Sequence, residues 1–383
     1  MRVIRDYIVW YATNMKKVIV GMSGGVDSSV TAYLLKEQGY EVEGVSFILY
    51  EARMKNTFTG CCSIEVINDA RRTAEHMGVK HTAVDLRNEF MEKVIEPFIE
   101  AYSKGMTPNP CILCNRHIKF PYLLKIAGEK GADFIATGHY ARVVSAEAQK
   151  YGSAEATRRK TSEFPSFRAS VLKKGIDNKK DQSYVLYVLR KEELNRLLLP
   201  LGDKRKDEVR EIARTLNLPA AKRPESQEIC FIEDRNYFRF LENLTGSKEG
   251  PIIDVETGET LGTHKGIYLY TVGQRKRLGI AAGKPLFVAK IDPSKNAVYA
   301  GPKEAAMIRE FDVFDINWLM SVGPEFRATV KVRSMMNDEP ASIRVLDDNK
   351  VNVVYDEPQW APAPGQSAVF YDGEAVIGGG IIQ

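Results

Sequence analysis

The sequence predicts an α/β chain, with a parallel-sheet N-terminal half followed by small all-β modules. Three observations point that way. From residue 16 to about 140, short β-branched runs alternate with stretches of helical period, as βαβ units do. A glycine-rich turn, Gly21-Met22-Ser23-Gly24-Gly25-Val26-Asp27-Ser28-Ser29, stands directly between the first run and the first helical stretch. From about 250 onward, Gly recurs every few residues and helical periods are short.

KKVIVG, ending at Gly21, reads as the first strand. SSVTAYLLKEQG follows with Val30, Tyr33 and Leu34 at helical spacing and stops at Gly39. EVEGVSFIL is a second strand, SIEVINDARRTAEHMG an amphipathic helix stopped by Gly78, and KHTAVDL a third strand. NEFMEKVIEPFIEAYSKG reads as a helix ending at Gly105; after a loop come a helix at HIKFPYLLKIAGEKG and a strand at ADFIATGHYA. Residues 142–180 break the pattern. Between 150 and 180 there are nine basic and three acidic residues, more than the net +4 of the whole chain. DEVREIARTLNL resumes as a helix. KGIYLYTV, PLFVAKI, ATVKVRS and ASIRVL read as short strands of one or two β modules, the last a candidate barrel. The expected domains are 15–217, 218–288 and 289–383.

Composition narrows the function classes. With 44% apolar and 27% charged residues, the 383-residue chain is an ordinary globular protein and not a disordered one. Its longest apolar runs, near 189 and 200, fall far short of the ~20 residues of a membrane span, so no membrane partner is expected. A balance of 54 basic to 50 acidic residues permits a polyanionic partner without demanding one. Five cysteines do not make a disulfide scaffold. Residues 1–14 lack the apolar core and cleavage site of an export signal, so they read as a peripheral extension, or Met15 as the working start, of a cytoplasmic protein.

The glycine-rich turn has the chemistry of an anion cradle. Glycines allow close backbone approach and positive φ, while serines and the N–H groups of a helix start bind phosphate oxygens. No Lys precedes the Ser, so this is not a Walker A loop, and it is not GxGxxG. Cys111 and Cys114 lie in Thr107-Pro-Asn-Pro-Cys-Ile-Leu-Cys-Asn115, where two prolines and Asn mark a loop. The C-x-x-C spacing puts two thiolates on one side of a turn, able to hold a metal ion or one edge of a cluster. Cys230, in Ser226-Gln-Glu-Ile-Cys-Phe231, is a third candidate, and His117 or His139 a fourth ligand for zinc. Cys61 and Cys62 read as small packing residues, and His76, His81 and His264 as surface or packing residues. The basic runs Lys204-Arg-Lys206 and Arg275-Lys-Arg277 are either solvated faces or part of a path for an RNA backbone.

Ser23–Ser29 resembles the PP-loop of ATP pyrophosphatases, which split ATP between the α and β phosphates. Beyond it, the string around Cys111, Ala136-Thr-Gly-His-Tyr-Ala-Arg142, Lys180-Asp-Gln-Ser-Tyr184, Glu228-Ile-Cys-Phe-Ile232, Thr271-Val-Gly-Gln-Arg275 and Pro364-Gly-Gln366 resemble, in order, the tRNA-specific 2-thiouridylase family. The resemblance implies a Rossmann-like parallel-sheet PP-loop domain, a small central domain and a C-terminal β-barrel. It implies ATP-dependent 2-thiolation of the wobble uridine of tRNA through an adenylated uridine, with release of AMP and pyrophosphate. ATP and Mg²⁺ are then expected on Gly21, Met22, Ser23, Gly24, Gly25, Val26, Asp27 and Ser28, with Phe47 and Gly138 beside the nucleotide. RNA contacts are expected from Asn109, Pro110, Cys111, His139, Lys180, Asp181, Gln182, Arg333 and Gln366. Cys114, Cys230 and Asp27 are the expected catalytic residues.

Many family members carry Asp where this chain has Cys111. The three-cysteine pattern resembles members that hold a [4Fe–4S] cluster, with Cys111, Cys114 and Cys230 as ligands and one iron open for hydrosulfide. A persulfide relay between Cys114 and Cys230, and zinc, stay open as alternatives. A sulfur-donor protein or free sulfide would supply the sulfur. A PP-loop synthetase adenylating a small metabolite would need a glutaminase nucleophile, and the sequence shows no such motif.

Overall fold

At the centre of the N-terminal sheet lies β1 (Lys17–Gly21), in which Val18, Ile19 and Val20 are fully buried. A parallel strand covered on both faces is apolar at consecutive positions, which is why this run does not alternate. The computed structural model describes residues 15–50, 64–145, 170–222, 229–232, 237–245, 248–280 and 283–383. Cys61, Cys62 and the basic residues of 150–169 lie outside that set.

Contacts within the chain divide it into two compact units, one of residues 1–90, 115–183 and 189–233, the other of 91–114, 184–188 and 234–383. In the first unit, β1 leads through α1 (Val26–Glu37) to β2 (Glu41–Ile48), and through α2 (Ile64–His76) to β3 (Lys80–Asp85). α3 (Phe120–Glu129) precedes β4 (Phe134–Ala136). A hairpin pair, β5 (Ala141–Ser145) and β6 (Ser170–Lys174), leads on to β7 (Leu197–Leu198) and α4 (Lys206–Thr215). The strand order is β3-β2-β1-β4-β7, every pairing parallel. The chain winds outward from β1 in one direction and from β4 in the other. The C-terminal ends of these two strands therefore form the topological switch point, where open α/β sheets bind ligands. Val18 and Val20 of β1, Val30 and Leu35 of α1, Ala70 and Ala74 of α2, and Val209 and Ala213 of α4 share one core. The expected strand at ADFIATGHYA is shorter than its apolar run: only Phe134–Ala136 pairs, and Thr137–Tyr140 turns out at the switch point.

The second unit holds helices Glu96–Ser103, Pro110–Cys114 and Tyr237–Thr245 and two β modules. β8 (Gly250–Asp254), β9 (Thr260–His264), β10 (Phe287–Asp292) and β11 (Ala297–Gly301) pair in the order β10-β11-β8-β9 around Ile252, Ile267, Val288 and Val298. This sheet runs to residue 301, past residue 288. KGIYLYTV is not a strand: Ile267–Leu269 is a 3₁₀ turn, with Ile267, Tyr268, Tyr270 and Val272 buried. A short, wholly buried apolar run carries no period to separate the two states. β12 (Met307–Trp318), β13 (Glu325–Lys331), β14 (Glu339–Asp347), β15 (Lys350–Trp360), β16 (Ser367–Asp372) and β17 (Ala375–Ile382) form the barrel. Antiparallel pairing runs β12-β15-β14-β13-β16-β17, and β17 closes back on β12 with Val313 opposite Ile382. Inward positions alternate, as Val351, Val353 and Tyr355 show on β15.

Candidate active site

Four residues, Met22 to Gly25, carry the chain from β1 into α1. Gly24 has φ +70°, and a Cβ there would lie 2.4 Å from the Val66 carbonyl oxygen on α2. Only glycine fits that backbone and that approach. The Ser23 N–H donates to Ser28 Oγ at 3.1 Å, and Ser28 Oγ and Ser29 Oγ donate to the Gly25 carbonyl at 3.2 and 2.9 Å. Behind the turn, Met22 donates its N–H to Val45 O at 2.8 Å and accepts from Ser46 Oγ at 2.5 Å. The helix cap, Gly25, has no side chain to occupy the first-turn N–H groups, which are left for an anion at the positive end of α1.

Asp27, in the first turn of α1, is held from two sides. Lys206 Nζ, from the start of α4, lies 2.7 Å from both carboxylate oxygens, and Tyr140 Oη donates to Oδ1 at 2.8 Å. Lys206 Nζ also sits 5.4 Å from the Tyr140 ring centroid. The Lys206 side chain is 10% exposed and that of Asp27 34%. Lys206 is thus an internal ion-pair partner and not part of a solvated basic face. The sequence does not tie either residue to Asp27, from which Lys206 and Tyr140 lie 179 and 113 positions away.

The turn after β4 presses on the same place. A Cβ on Gly138 would lie 2.9 Å from both the Asp27 carbonyl carbon and the Ser28 nitrogen. His139 is buried, with Nδ1 2.8 Å from Thr137 Oγ1 and its ring stacked on Phe120 at 5.8 Å. Burial, and secondarily the Lys119 charge, hold its pKa well below the usual value, so the imidazole is neutral. Gln182 brackets Tyr140: its Oε1 accepts the Tyr140 N–H at 3.0 Å, and its own N–H donates to Tyr140 O at 2.8 Å. Asp181 is buried and accepts from the Gly175 and Ser183 N–H groups and from Ser183 Oγ, at 3.0, 3.1 and 2.9 Å. Lys180 is half-buried, as is Phe47, which lies on β2 in register with Val84.

The cysteine segment is helical, where the prolines had suggested a loop. Asn109 caps helix Pro110–Cys114: its Oδ1 accepts the Cys111 N–H at 3.0 Å and its carbonyl the Ile112 N–H at 3.2 Å. Pro110 takes the first helical position, where no N–H is needed. Cys111 is exposed and Cys114 buried, three residues apart and so neighbours on the helix surface. Cys230 is half-buried beside Phe231, whose ring packs edge-on against Phe90 at 5.8 Å. The Cys111–Cys114 pair suits one edge of a metal site. Among the described residues, no group of three His, Cys, Asp or Glu side chains stands ready to hold a metal ion.

The remaining candidates belong to the second unit. Gln366 Nε2 donates to Thr107 O at 2.9 Å, and Arg333 Nη2 donates to Val272 O and Ala361 O, each at 2.9 Å. Burial lowers the Arg333 pKa from its ordinary value. Arg275, Arg277 and Lys284 line an open groove of about 430 Å³ with Leu278, Ile280 and Leu286, and Arg277 lies 4.1 Å over the Phe238 ring. Among the described residues no helix is long and apolar enough to cross a membrane.

Family models described as tRNA methyl transferase HUP domain, tRNA methyl transferase PRC-barrel domain and aminomethyltransferase beta-barrel domain match residues 16–234, 238–302 and 308–382. The tRNA-specific 2-thiouridylase MnmA of Carboxydothermus hydrogenoformans is 46% identical over 376 residues, covering 96% of this chain and 98% of its own. The protein of the same name from Clostridioides difficile is 43% identical over 373 residues, again covering 96% and 98%. Among solved structures, the U34-tRNA thiolase NcsA from Methanococcus maripaludis with its [4Fe–4S] cluster shares 19% identity at a TM-score of 0.33, covering 60% of this chain and 67% of its own. A likeness that distant carries no argument. Three matched regions in the order of the observed sheet, central module and barrel, together with full-length relatives at this identity, place the chain in the tRNA-specific 2-thiouridylase family.

Proposed function

We propose that this protein catalyses ATP-dependent 2-thiolation of the wobble uridine of tRNA. The observation that carries the reading is the intact anion cradle at the sheet's switch point, in a chain whose full-length relatives are named tRNA-specific 2-thiouridylases. The first-turn N–H groups of α1, with Ser23 and Ser28, hold the pyrophosphate end of ATP. Lys206 and Tyr140 keep the Asp27 carboxylate in place beside those phosphates, where it orients them or ligates Mg²⁺. Phe47 and Gly138 border the adenosine. Uridine O2 attacks the α-phosphorus and pyrophosphate leaves. The adenylated oxygen is then displaced as AMP by sulfide, since an unactivated carbonyl oxygen is a very poor leaving group.

The base must leave the anticodon stack to react, at a cost of a few kcal/mol. We assign the Asn109-Pro110-Cys111 turn, His139 and the Lys180–Gln182 turn to receiving it and its strand. Asp181 and Gln182 act through the turn they hold together. The groove of Arg275, Arg277 and Lys284 suits backbone phosphates. A tRNA substrate fits an enzyme that works in the cytoplasm.

Sulfur passes through Cys111, Cys114 and Cys230, delivered by a donor protein or as free sulfide. A [4Fe–4S] cluster on these three thiolates would leave one iron open to bind hydrosulfide; the support for it is the cysteine pattern alone. A persulfide relay between Cys114 and Cys230 uses two of these residues without iron and takes its sulfur from a donor protein's persulfide, since free sulfide would need an oxidant.

The test is AMP release from ATP together with 2-thiouridine in the tRNA, read by mass spectrometry. Stimulation by tRNA and not by small amides is expected. AMP release driven by a small amide and indifferent to tRNA would overturn the reading in favour of a metabolite synthetase. Protein purified without oxygen is expected to be brown, to absorb near 400 nm and to carry about four irons per chain. Colourless protein that still thiolates tRNA removes the cluster and leaves the relay.

A further inference from the structure

Thr107 opens the Cys111–Cys114 segment and is gripped at three points. Its N–H donates to Pro364 O at 2.7 Å, its carbonyl accepts from Gln366 Nε2 at 2.9 Å, and its Oγ1 donates to Thr271 Oγ1 at 3.2 Å. Two strings, 164 and 259 residues further along the chain, thus take both backbone groups and the side chain of one residue. Each grip is itself anchored. The Thr271 N–H donates to Gln274 Oε1 at 3.1 Å, and the Gln366 carbonyl accepts from the Ile382 N–H at 2.8 Å on the barrel's closing strand. Gly365, at φ +88°, lets the backbones meet, since a Cβ there would lie 2.8 Å from the Thr107 nitrogen. Arg333 ties the neighbours of both grips through the carbonyls of Val272 and Ala361.

Only Pro108, Asn109 and Pro110 separate Thr107 from Cys111. Two of the three have φ locked by the pyrrolidine ring, and the third is held by its cap bond to the Cys111 N–H. The segment is a strut with few soft torsions. A shift of Thr107 is therefore passed to Cys111 and Cys114, in the first turn of a helical run that continues to Glu129.

We infer that Thr271, Arg333 and Gln366 are positioning residues that set the start of the cysteine helix from the central module and the barrel. The sulfur role of that helix rests on the function proposed above; the grip itself does not.

The test uses the full chain and two substitutions that remove one bond each, Gln366→Met and Thr271→Val, with Thr271→Ser as the variant that keeps the hydroxyl. Alkylation of Cys114 by iodoacetamide is timed by peptide mass spectrometry, with neither ATP nor RNA present. Cys114 is buried and should react slowly in the wild type. Gln366→Met and Thr271→Val should speed it roughly tenfold, the scale of one buried hydrogen bond. They should lower kcat for thiolation by a similar factor and leave KM for tRNA within about twofold, with Thr271→Ser like the wild type. Unchanged alkylation with a raised KM for tRNA would overturn the inference, as would equal effects of Thr271→Val and Thr271→Ser. If Gln366→Met does not fold, the Thr271 pair decides alone. A wild type that alkylates as expected but makes no 2-thiouridine would remove the proposed function and keep the grip.

Discussion

Replacing Lys206 by Met keeps most of the unbranched apolar stem and removes the charged end. Asp27 then loses a partner at 2.7 Å from both of its oxygens and keeps the Tyr140 hydroxyl at 2.8 Å. Breaking a fully buried ion pair costs about 3–5 kcal/mol, and one hydrogen bond to a charged group about 1.5–3. With its side chain 34% exposed, Asp27 recovers part of that loss from water. The lower range applies, at about 2 kcal/mol, which is roughly a 30-fold effect. The assay is tRNA-stimulated AMP release as a function of ATP concentration, with a thermal melt to show that the variant is folded. Lys206→Met should lower kcat/KM for ATP roughly 30-fold, and Tyr140→Phe, which removes one hydrogen bond to the same carboxylate, roughly tenfold. Asp27→Ala should abolish AMP release and spare tRNA affinity. Because Lys206 acts through Asp27, the double variant Lys206→Met/Asp27→Ala should bind ATP, by calorimetry, no more weakly than Asp27→Ala alone. A Lys206→Met enzyme within twofold of the wild type would refute this reasoning, as would additive losses in the double variant.

Gly24→Ala should abolish ATP binding by calorimetry, since the added Cβ meets the Val66 carbonyl in a left-handed backbone. Gly25→Ala, whose nearest neighbour would be Ser23 Oγ at 3.6 Å, should bind within a few-fold of the wild type; equal losses would mean that the clash is relieved elsewhere. Acid should destabilise the protein through its buried histidines. His139 stays neutral in the fold, whereas an unfolded histidine takes up a proton near pH 6.5, so the unfolded state binds more protons as pH falls and stability declines below that value. The slope from His139 is at most about 1.4 kcal/mol per pH unit. Burial lowers the pKa values of His81 and His264 too, so they act in the same direction. His139→Gln should flatten the fall in melting temperature between pH 7 and pH 5.5, and an unchanged fall would clear His139 of the effect.

What the sequence made legible is what lies close together in it. The β1–cradle–α1 unit is nine consecutive residues of distinctive type between two clear periods, and the structure has the strand, turn and helix where those periods end. The barrel's alternation is likewise local. KGIYLYTV failed as a strand because Ile267, Tyr268, Tyr270 and Val272 are buried with neither a strand's nor a helix's period, so the run says apolar and nothing more. The cysteine helix was hidden by its prolines, although Asn109-Pro110 is a cap followed by a first helical residue and would have signalled a helix start. Lys206 had no local signal at all: among Lys204, Arg205 and Lys206, only the fold decides which one turns inward.

That division has a consequence for how the site fails. The cradle is set by backbone conformation within residues 21–29 and by Ser–backbone bonds spanning a few residues, so it forms wherever β1 and α1 form. The charge beside it depends on α4 being docked in the core it shares with α1, because Val209 and Ala213 bring Lys206 to Asp27. The start of the cysteine helix is set elsewhere, by Thr107 and so by the central module and the closing strand of the barrel. Damage to the barrel should therefore leave ATP binding intact and speed the alkylation of Cys114, whereas loosening α4 should weaken ATP binding and leave that alkylation rate unchanged. Each defect is visible in an assay to which the other is silent.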